Sequence, residues 1–229
     1  MDSNVEEKRI VIKKADKEDL EGFLDLYAEF YNDLRLRQGL KQHSREKYHG
    51  DVERYLSRDK VFLAETDRGE AIGFIRVSER EGCYWIEELY VQPVYRGKGV
   101  GRRLVEKAED YIKEHDSHVY IMVLPQDRRA MSFWLHHGYT LLNTVELAKS
   151  FGENKGGTRL IPLLGSILEM YRWSKEDYAP LENKFLELVE EFQRKGGGAR
   201  ELLEIFVKAL EEYLSKTSTK KRSQDNYIA

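Results

Sequence analysis

Residues 96–102, with the sequence RGKGVGR, form the segment whose residue types and spacing most clearly predict a binding site. An apolar run and Pro93 precede the segment, and an amphipathic stretch follows it, so the segment predicts a turn between a strand and a helix. Glycine allows successive main-chain N–H groups to point toward one place, and a helix N-terminus carries partial positive charge. Such a turn is suited to binding a phosphate or a pyrophosphate.

Two common nucleotide-binding motifs can be tested against this turn. A dinucleotide fingerprint G-x-G-x-x-G that starts at Gly97 requires glycine where Arg102 stands, and one that starts at Gly99 requires glycine where Leu104 stands. The P-loop pattern G-x-x-x-x-G-K-[ST] does not match the segment either. The letters disfavour both classes and leave open a tight strand-to-helix connection that binds nothing.

Apolar periodicity divides the first 175 residues into alternating strands and helices. Predicted strands cover residues 10–13, 61–65, 71–78, 83–91, 119–124, 139–147 and 167–173. Predicted helices cover residues 16–34, with Asp16 as N-cap, and residues 44–56, 99–115 and 129–137, with Gly138 ending the last one. The pattern indicates an α/β fold.

The sequence changes character after about residue 175. Two amphipathic stretches joined by glycines 196–198 predict a helical hairpin over residues 176–215, and the polar residues 216–229 predict a disordered tail. The apolar stripes of the hairpin must be buried against something. The alternatives are a cover over the active site, a buttress for the sheet and a contact in a homodimer.

Charge and cysteine content argue against several kinds of partner. With Lys+Arg 38 against Asp+Glu 41, the formal net charge of -3 offers no positive field for nucleic acid. Cys83 is the single cysteine and the histidine pairs lack metal-binding spacing, so we expect no disulfide, no metal site and a cytoplasmic location. We also expect no membrane association, because no apolar run approaches about 18 residues.

The glycine turn resembles the acetyl-CoA signature [RQ]-x-x-G-x-[GA] of the GNAT superfamily of N-acetyltransferases, which Arg96, Gly99 and Gly101 match. Residues 89–93 (LYVQP) resemble the family's fourth strand, and residues 130–139 (AMSFWLHHGY) resemble its second motif, A-x-x-F-Y-x-x-x-G-F. The resemblance covers about residues 8–174 and implies a GNAT domain over residues 1–175. It implies a central mixed sheet flanked by helices, with a cleft where the fourth and fifth strands part.

By the same resemblance, the cosubstrate is acetyl-CoA. Val91 and its neighbours would pair with the pantetheine arm, and the N–H groups of the glycine turn would bind the pyrophosphate. Lys98 and Arg102 would add positive charge near the phosphates, unless they are solvated cations at the helix start. The expected cofactor-binding residues are Leu89, Tyr90, Val91, Arg96, Gly97, Lys98, Gly99, Val100, Gly101, Arg102, Asp127, Phe133 and Trp134.

The reaction implied by the resemblance is direct attack of a primary amine on the thioester, which requires a base that removes a proton from the ammonium. Glu87 and Glu88 lie on the predicted fourth strand, and two-residue alternation predicts that one faces the cleft and the other faces away. The position four residues before Val91 bears an acid/base residue in several family members, which favours Glu87 over Glu88. The alternative is that both are solvent-facing or ion-paired strand carboxylates.

Two positions depart from the family pattern. Trp134 stands where the family's second motif has the tyrosine often proposed as general acid, and an indole N–H cannot serve in that role. Asp127 stands where the family often has asparagine. The acceptor classes that remain open are a small amine, a polyamine, and a protein N-terminus or lysine. A second hypothesis is a non-catalytic module that senses or scaffolds acyl-CoA.

Overall fold

The computed structural model describes residues 10–149, 151, 157–163 and 166–173, together with the isolated residues 194, 198 and 204. The chain divides into two compact units, residues 1–125 with 130–140 and residues 126–129 with 141–229. Apart from the three isolated residues, the helical hairpin and tail expected after residue 175 lie outside the described residues. The domain boundaries at residues 175 and 215 therefore stay predictions.

The first unit contains a five-stranded sheet with the order β1-β2-β3-β4-β5. Its strands are β1 (Val11–Lys14), β2 (Lys60–Glu65), β3 (Ala71–Arg80), β4 (Cys83–Val91) and β5 (Tyr120–Ile121). Neighbouring strands from β1 to β4 pair antiparallel, while β4 and β5 pair parallel. The sheet is therefore mixed, as the family resemblance implies.

The helices are α1 (Leu20–Arg37), α2 (His49–Arg58), α3 (Val100–Lys113) and α4 (Arg128–His136). A 3₁₀ turn at residues 17–19 precedes α1, and the Asp16 side chain caps that turn by accepting a hydrogen bond from the Glu18 N–H at 2.8 Å. Asp16 therefore caps the 3₁₀ turn that leads into α1, and α1 itself begins at Leu20 and buries Phe23, Leu24 and Tyr27.

Two hydrophobic clusters cover opposite faces of the sheet. On one face, α3 contributes Leu104 and Val105 to a cluster with Ile75 and Val77 of β3. On the other face, Phe23 and Tyr27 of α1 pack around Phe74 of β3. Side chains of a strand alternate between faces, and β3 supplies both clusters because it lies in the middle of the sheet.

Two predicted strands need correction, and one observed strand was not predicted. Residues 139–147 form no strand and pair with none of the described residues; Leu141 and Leu147 are exposed, since alternation cannot make a strand without a partner strand. The strand expected at residues 119–124 contracts to β5. In the second unit, β6 (Thr158–Leu163) pairs antiparallel with β7 (Ser166–Tyr171). β6 was not predicted from the sequence, in which Pro162 weakens the strand pattern.

Candidate active site

Strands β4 and β5 separate after two residue pairs, which are the only β4–β5 pairs among the described residues. Trp85 pairs with Tyr120 and Ile86 pairs with Ile121, and the ladder between the two strands ends there. Residues 88–91 of β4 keep their pairing with β3 on the other side. One edge of this part of β4 is therefore outside the β4–β5 ladder, which is the parting of strands that the resemblance implies.

A β-bulge lies at the same point. Arg76 of β3 pairs with Glu88 and the next residue, Val77, pairs with Ile86, so Glu87 is an extra residue on β4. The bulge brings both carboxylates to one face, because Glu88 bonds to Arg76 while Glu87 bonds to Ser78, and residues 76 and 78 alternate onto the same side of β3. The predicted alternation of Glu87 and Glu88 is therefore wrong, and the extra residue is the cause.

Glu88 is held in a buried ion-pair network. Its carboxylate accepts hydrogen bonds from Arg76 Nε at 2.6 Å and Nη2 at 2.8 Å, and a third from the Tyr31 hydroxyl at 2.9 Å. The other terminal nitrogen of Arg76, Nη1, bonds to Asp59. The guanidinium also lies 3.8 Å from the ring centroid of Tyr55. Both oxygens of Glu88 are thus committed to donors inside the protein.

Glu87 lies closer to solvent. Arg80 donates from Nε at 2.6 Å to one carboxylate oxygen and from Nη2 to the other, and the Ser78 hydroxyl donates to the same oxygen as Nε. The Arg80 side chain is 44% exposed, whereas that of Arg76, the partner of Glu88, is 8% exposed. The ion pair of Glu87 is therefore the weaker constraint, since an exposed guanidinium is hydrated and can move away.

The glycine turn has the backbone geometry expected of an anion site. Gly97 and Gly99 have φ values of 76° and 77°, in the left-handed region that favours glycine, and α3 begins at Val100. Gly99 is the N-cap residue and provides no side chain to bond the first N–H groups of the helix. Those N–H groups can instead donate hydrogen bonds to an anion, and the helix dipole adds partial positive charge there.

Arginine and lysine side chains flank the turn. Arg96 Nε donates to the Val91 carbonyl at 2.8 Å, which ties the turn to the end of β4. Lys98 lies over the ring of Tyr95 at 5.5 Å and is exposed. Arg102 pairs with Glu106 at 3.0 Å on the surface of α3. The structure thus assigns Arg96 a role in holding the turn and leaves Lys98 and Arg102 at the surface.

The expected residues of α4 have different environments. The Phe133 ring lies 3.4 Å from the position that a Cβ on Gly101 would occupy, so Phe133 packs against the start of α3. Trp134 is 8% exposed and belongs to the core cluster, which leaves it little surface for a ligand. Asp127 belongs to the second unit and is described only within it.

Several residues of this site were not selected as site residues from the sequence: Tyr31, Asp59, Arg76, Ser78 and Arg80. Asp59 and Ser78 lie in no motif of the sequence, and Tyr31 lies on the predicted first helix. One usable signal was Arg76, a charged residue in the apolar run IGFIRV, because a buried cation requires an anionic partner. The sequence does not say which carboxylate that partner is.

An open groove of about 680 Å³ runs along α1. Carboxylates dominate its charged lining, with Asp25, Glu29, Asp33 and Glu70 against Arg45. Glu29 also lies within hydrogen-bonding distance of the Tyr90 hydroxyl on β4, at 3.3 Å. The groove therefore has an acidic lining that reaches the strand bearing Glu87 and Glu88.

A mixed sheet that parts beside a glycine turn defines the CoA-binding acyltransferase class implied by the sequence resemblance. Residues 20–139, just over half of the chain, match the Acetyltransferase (GNAT) family. The chain belongs to this family, whose enzymes use acetyl-CoA as cosubstrate. The prediction of a GNAT N-acetyltransferase is confirmed at the level of family, fold and cosubstrate.

Relatives with curated sequences carry the same family name. An uncharacterized N-acetyltransferase of Archaeoglobus fulgidus is 39% identical over 121 residues, which cover 47% of this chain and 77% of the relative. An uncharacterized N-acetyltransferase of Methanocaldococcus jannaschii is 26% identical over 145 residues, covering 58% of this chain and 61% of the relative. Neither name specifies an acceptor.

Solved structures share the fold. The aminoglycoside N-acetyltransferase AAC(6')-Iy in complex with CoA superposes with a TM-score of 0.52 at 19% identity, covering 63% of this chain and 97% of that one. A ribosomal-protein-alanine N-acetyltransferase of Brucella melitensis superposes with a TM-score of 0.50 at 15% identity, covering 62% and 100%. At these identities the likeness establishes the GNAT fold and not the acceptor.

No helix in the described part of the chain has the length and apolar character needed to cross a bilayer. The described residues also contain no group of three or more His, Cys, Asp or Glu side chains placed to hold a metal ion.

Proposed function

We propose that the protein transfers the acetyl group of acetyl-CoA to a primary amine in a ternary complex, with Glu87 as the general base. One observation carries the proposal: Glu87, the extra residue of the bulge, is the residue at which the β4–β5 ladder has ended, after the last pair at Ile86. A carboxylate at the point where the strands part would lie beside a thioester inserted between them. The Glu87 side chain is 10% exposed against 4% for Glu88, so a proton relay through water would reach Glu87 more readily.

The cofactor would bind along the end of β4 and into the glycine turn. Main-chain N–H groups at the start of α3 would bind the pyrophosphate, and the unpaired edge of residues 89–91 would align the pantetheine arm. Lys98 and Arg102 are exposed beside the turn and would add electrostatic attraction for the phosphates. Phe133, packed on Gly101, would shape the wall next to the cofactor.

The chemical steps need one base and one leaving group. Glu87 removes a proton from the acceptor ammonium through a water molecule, and the neutral amine then attacks the thioester carbonyl carbon. A C–N bond forms, the C–S bond breaks, and the CoA thiolate leaves with the electron pair. The nitrogen gives up its second proton as the amide forms, and a water molecule relays that proton to the departing thiolate, since the indole of Trp134 is a poor acid and lies in the core.

Glu88 is the weaker candidate for the base. Both carboxylates accept three hydrogen bonds, two from an arginine and one from a hydroxyl, but the Glu88 side chain is 4% exposed and that of Glu87 is 10% exposed. Protonating Glu88 would leave the buried Arg76 cation less well neutralised, which is costly in a poorly solvated position. The structure thus supports the preference for Glu87 that the family resemblance implied.

A cationic acceptor suits the charge of the site. Asp59, Glu87 and Glu88 provide three carboxylates against the two guanidinium groups of Arg76 and Arg80, which leaves one negative charge in excess. The acidic groove along α1 adds to that field. An ammonium ion would therefore be attracted to this side of the sheet. We propose a small amine, a polyamine or a protein amine as the acceptor.

The test is Glu87→Gln, with Glu79→Gln as matched control on the exposed end of β3. Free thiol release from acetyl-CoA is followed with spermidine, Nα-acetyl-lysine and a peptide with a free N-terminal alanine. We expect Glu87→Gln to lower kcat by about 10²- to 10⁴-fold, as for the loss of a general base, with the calorimetric Kd for CoA unchanged. Equal turnover by both variants would mean that the base is another group.

A second candidate function is a non-catalytic acyl-CoA-binding module. The observation in its favour is that Trp134, at the position of the family's proposed acid, is a buried core residue. Tight CoA binding without turnover of any amine in the panel would support that alternative.

A further inference from the structure

We propose that Tyr31 binds the acceptor amine as a hydrogen-bond acceptor, and that Arg76 and Glu88 hold Tyr31 in that role. The inference rests on the proposed acetyl transfer and adds a residue to its acceptor site. Tyr31 would contact the substrate, whereas Glu88 and Arg76 would be positioning residues that act through Tyr31.

The first step is the fixed direction of the Tyr31 hydroxyl proton. The hydroxyl donates to Glu88 Oε1 at 2.9 Å. Glu88 cannot turn away, because Arg76 grips both of its oxygens at 2.6 and 2.8 Å, and Arg76 is itself anchored to Asp59. The Tyr31 proton is therefore committed to Glu88, and the phenol oxygen can only accept hydrogen bonds from elsewhere.

The second step concerns the remaining capacity of that oxygen. A phenol oxygen has two lone pairs, and neither is used when the hydroxyl donates its proton to Glu88. Acceptor capacity is therefore left for a further donor. Burial, together with the negative charge of Glu88, raises the pKa of Tyr31 above its ordinary value, so the phenol stays neutral at physiological pH. A neutral oxygen that accepts and cannot donate is suited to an N–H group of an amine.

The third step is location. Tyr31 bonds to Glu88, the residue next to the proposed base Glu87, on the face of the sheet that carries both carboxylates. Tyr31 is half-buried, whereas its neighbour Tyr27 is 3% exposed, so Tyr31 is the one of the two with surface left for a ligand. Ring contacts with Tyr27 at 4.7 Å and Phe30 at 4.9 Å hold the side chain in place.

The contact would orient the reacting nitrogen. A primary ammonium has three N–H bonds, of which one is lost to Glu87 through water and another can be donated to Tyr31. After deprotonation the amine still has an N–H for Tyr31, so the same hydrogen bond would hold the nitrogen while its new lone pair points toward the thioester carbon. Such positioning lowers the entropic barrier to attack.

The experiment compares Tyr31→Phe with Tyr48→Phe. Each substitution removes one hydroxyl and keeps the ring, and the two rings lie 5.9 Å apart in the same aromatic cluster. The Tyr48 hydroxyl bonds to Asn32 at 3.3 Å and has no bond to Glu88, which makes it the matched control. The acceptor is whichever of spermidine, Nα-acetyl-lysine and the alanyl peptide the wild-type protein acetylates with the highest kcat/KM.

We expect Tyr31→Phe to raise the KM for the amine by about tenfold or more, the effect of losing one hydrogen bond to a charged group. The KM for acetyl-CoA and the shape of the pH–rate profile should stay as in the wild type, and Tyr48→Phe should keep the wild-type KM for the amine. Arg76→Lys retains the positive charge but not the two parallel N–H donors that bond both oxygens of Glu88. It should raise the KM for the amine while the protein stays folded.

Three outcomes would overturn the inference. If Tyr31→Phe lowers Tm and leaves the KM for the amine unchanged, Tyr31 has a structural role alone. If Tyr31→Phe removes one limb of the pH–rate profile, Tyr31 is an acid or base. If the wild-type protein binds CoA and acetylates no amine of the panel, the proposed function itself fails, and the role of Tyr31 fails with it.

Discussion

The proposed anion site in the glycine turn can be tested with two substitutions that have the same local geometry. Gly99 has φ 77° and Gly69 has φ 76°, and a Cβ added at either residue would meet no atom within 4 Å. Gly99 is the N-cap of α3, while Gly69 lies in the turn between β2 and β3. Gly99→Ala and Gly69→Ala therefore introduce similar backbone strain, but only Gly99 lies at the proposed cofactor site.

The expected loss of stability follows from the backbone alone. An L-residue in the left-handed region costs about 1–2 kcal/mol, and no steric clash adds to that cost at either site. The two variants should therefore have similar decreases in Tm. The similarity is the internal control, because any difference in ligand binding cannot then be assigned to a general loss of folding.

The expected loss of affinity is specific to Gly99. A methyl group at the helix N-cap would stand where the pyrophosphate approaches the first N–H groups of α3. Hydrogen bonds to charged groups contribute about 1.5–3 kcal/mol each, so the loss of one such contact should raise the Kd for CoA by about 10- to 100-fold. Gly69→Ala should bind CoA with the wild-type Kd.

Isothermal titration calorimetry with CoA measures the three Kd values, and thermal unfolding without ligand measures the two shifts in Tm. Equal Kd values for Gly99→Ala and Gly69→Ala would refute the reasoning, because the N–H groups after Gly99 would then not contact the cofactor. A Tm shift confined to Gly99→Ala would refute the equality of backbone strain on which the comparison depends.

Three further predictions concern the sheet that bears the site. Gly73→Ala should lower the free energy of unfolding by about 1–3 kcal/mol, because its Cβ would lie 2.7 Å from the Tyr90 carbonyl oxygen. The control Gly50→Ala in α2 should leave the free energy of unfolding equal or higher. Chemical denaturation measures both. Arg76→Met should lower the free energy of unfolding by about 3–5 kcal/mol, since Glu88 would remain buried without its cationic partner. A loss below about 1 kcal/mol would contradict the buried ion pair. Burial, reinforced by the charge of Glu29, raises the pKa of Tyr90 from 10.0 to about 12, so this group stabilises the fold fully below pH 10 and loses its contribution as the pH rises to about 12. The fall in Tm over that pH window should be smaller in Tyr90→Phe, and an unchanged fall would contradict the assignment.

Features that depend on neighbouring residues in the chain could be predicted from the sequence. The fourth strand was predicted at residues 83–91 and is observed there, because its apolar run is bounded by glycine and proline. Asp16 was predicted as an N-cap and caps the turn before α1. The glycine turn was predicted between that strand and α3 and is found there.

Features that depend on strand register came from the tertiary structure. A sequence pattern with a period of two cannot reveal an extra residue, so the bulge at Glu87 and the common side of Glu87 and Glu88 were not foreseen. The pairing of Arg76 with Glu88 is a contact between two strands. Glu88 also accepts a hydrogen bond from Tyr31, which lies on α1 and is 57 residues away in the chain. The environment of each carboxylate is set by residues that the chain brings together only on folding.

The absent strand at residues 139–147 follows the same rule. Its alternating residues have the local pattern of a strand, but the main-chain N–H and C=O groups of a strand need a partner, and pairing is decided by the rest of the molecule. The sequence by itself therefore indicated the family and the cosubstrate, through the resemblance of short motifs. It also indicated the position of the glycine turn, which depends on short-range backbone chemistry. Tertiary structure alone decided how Glu87 and Glu88 differ, because that difference arises from register, burial and ion pairs between distant residues.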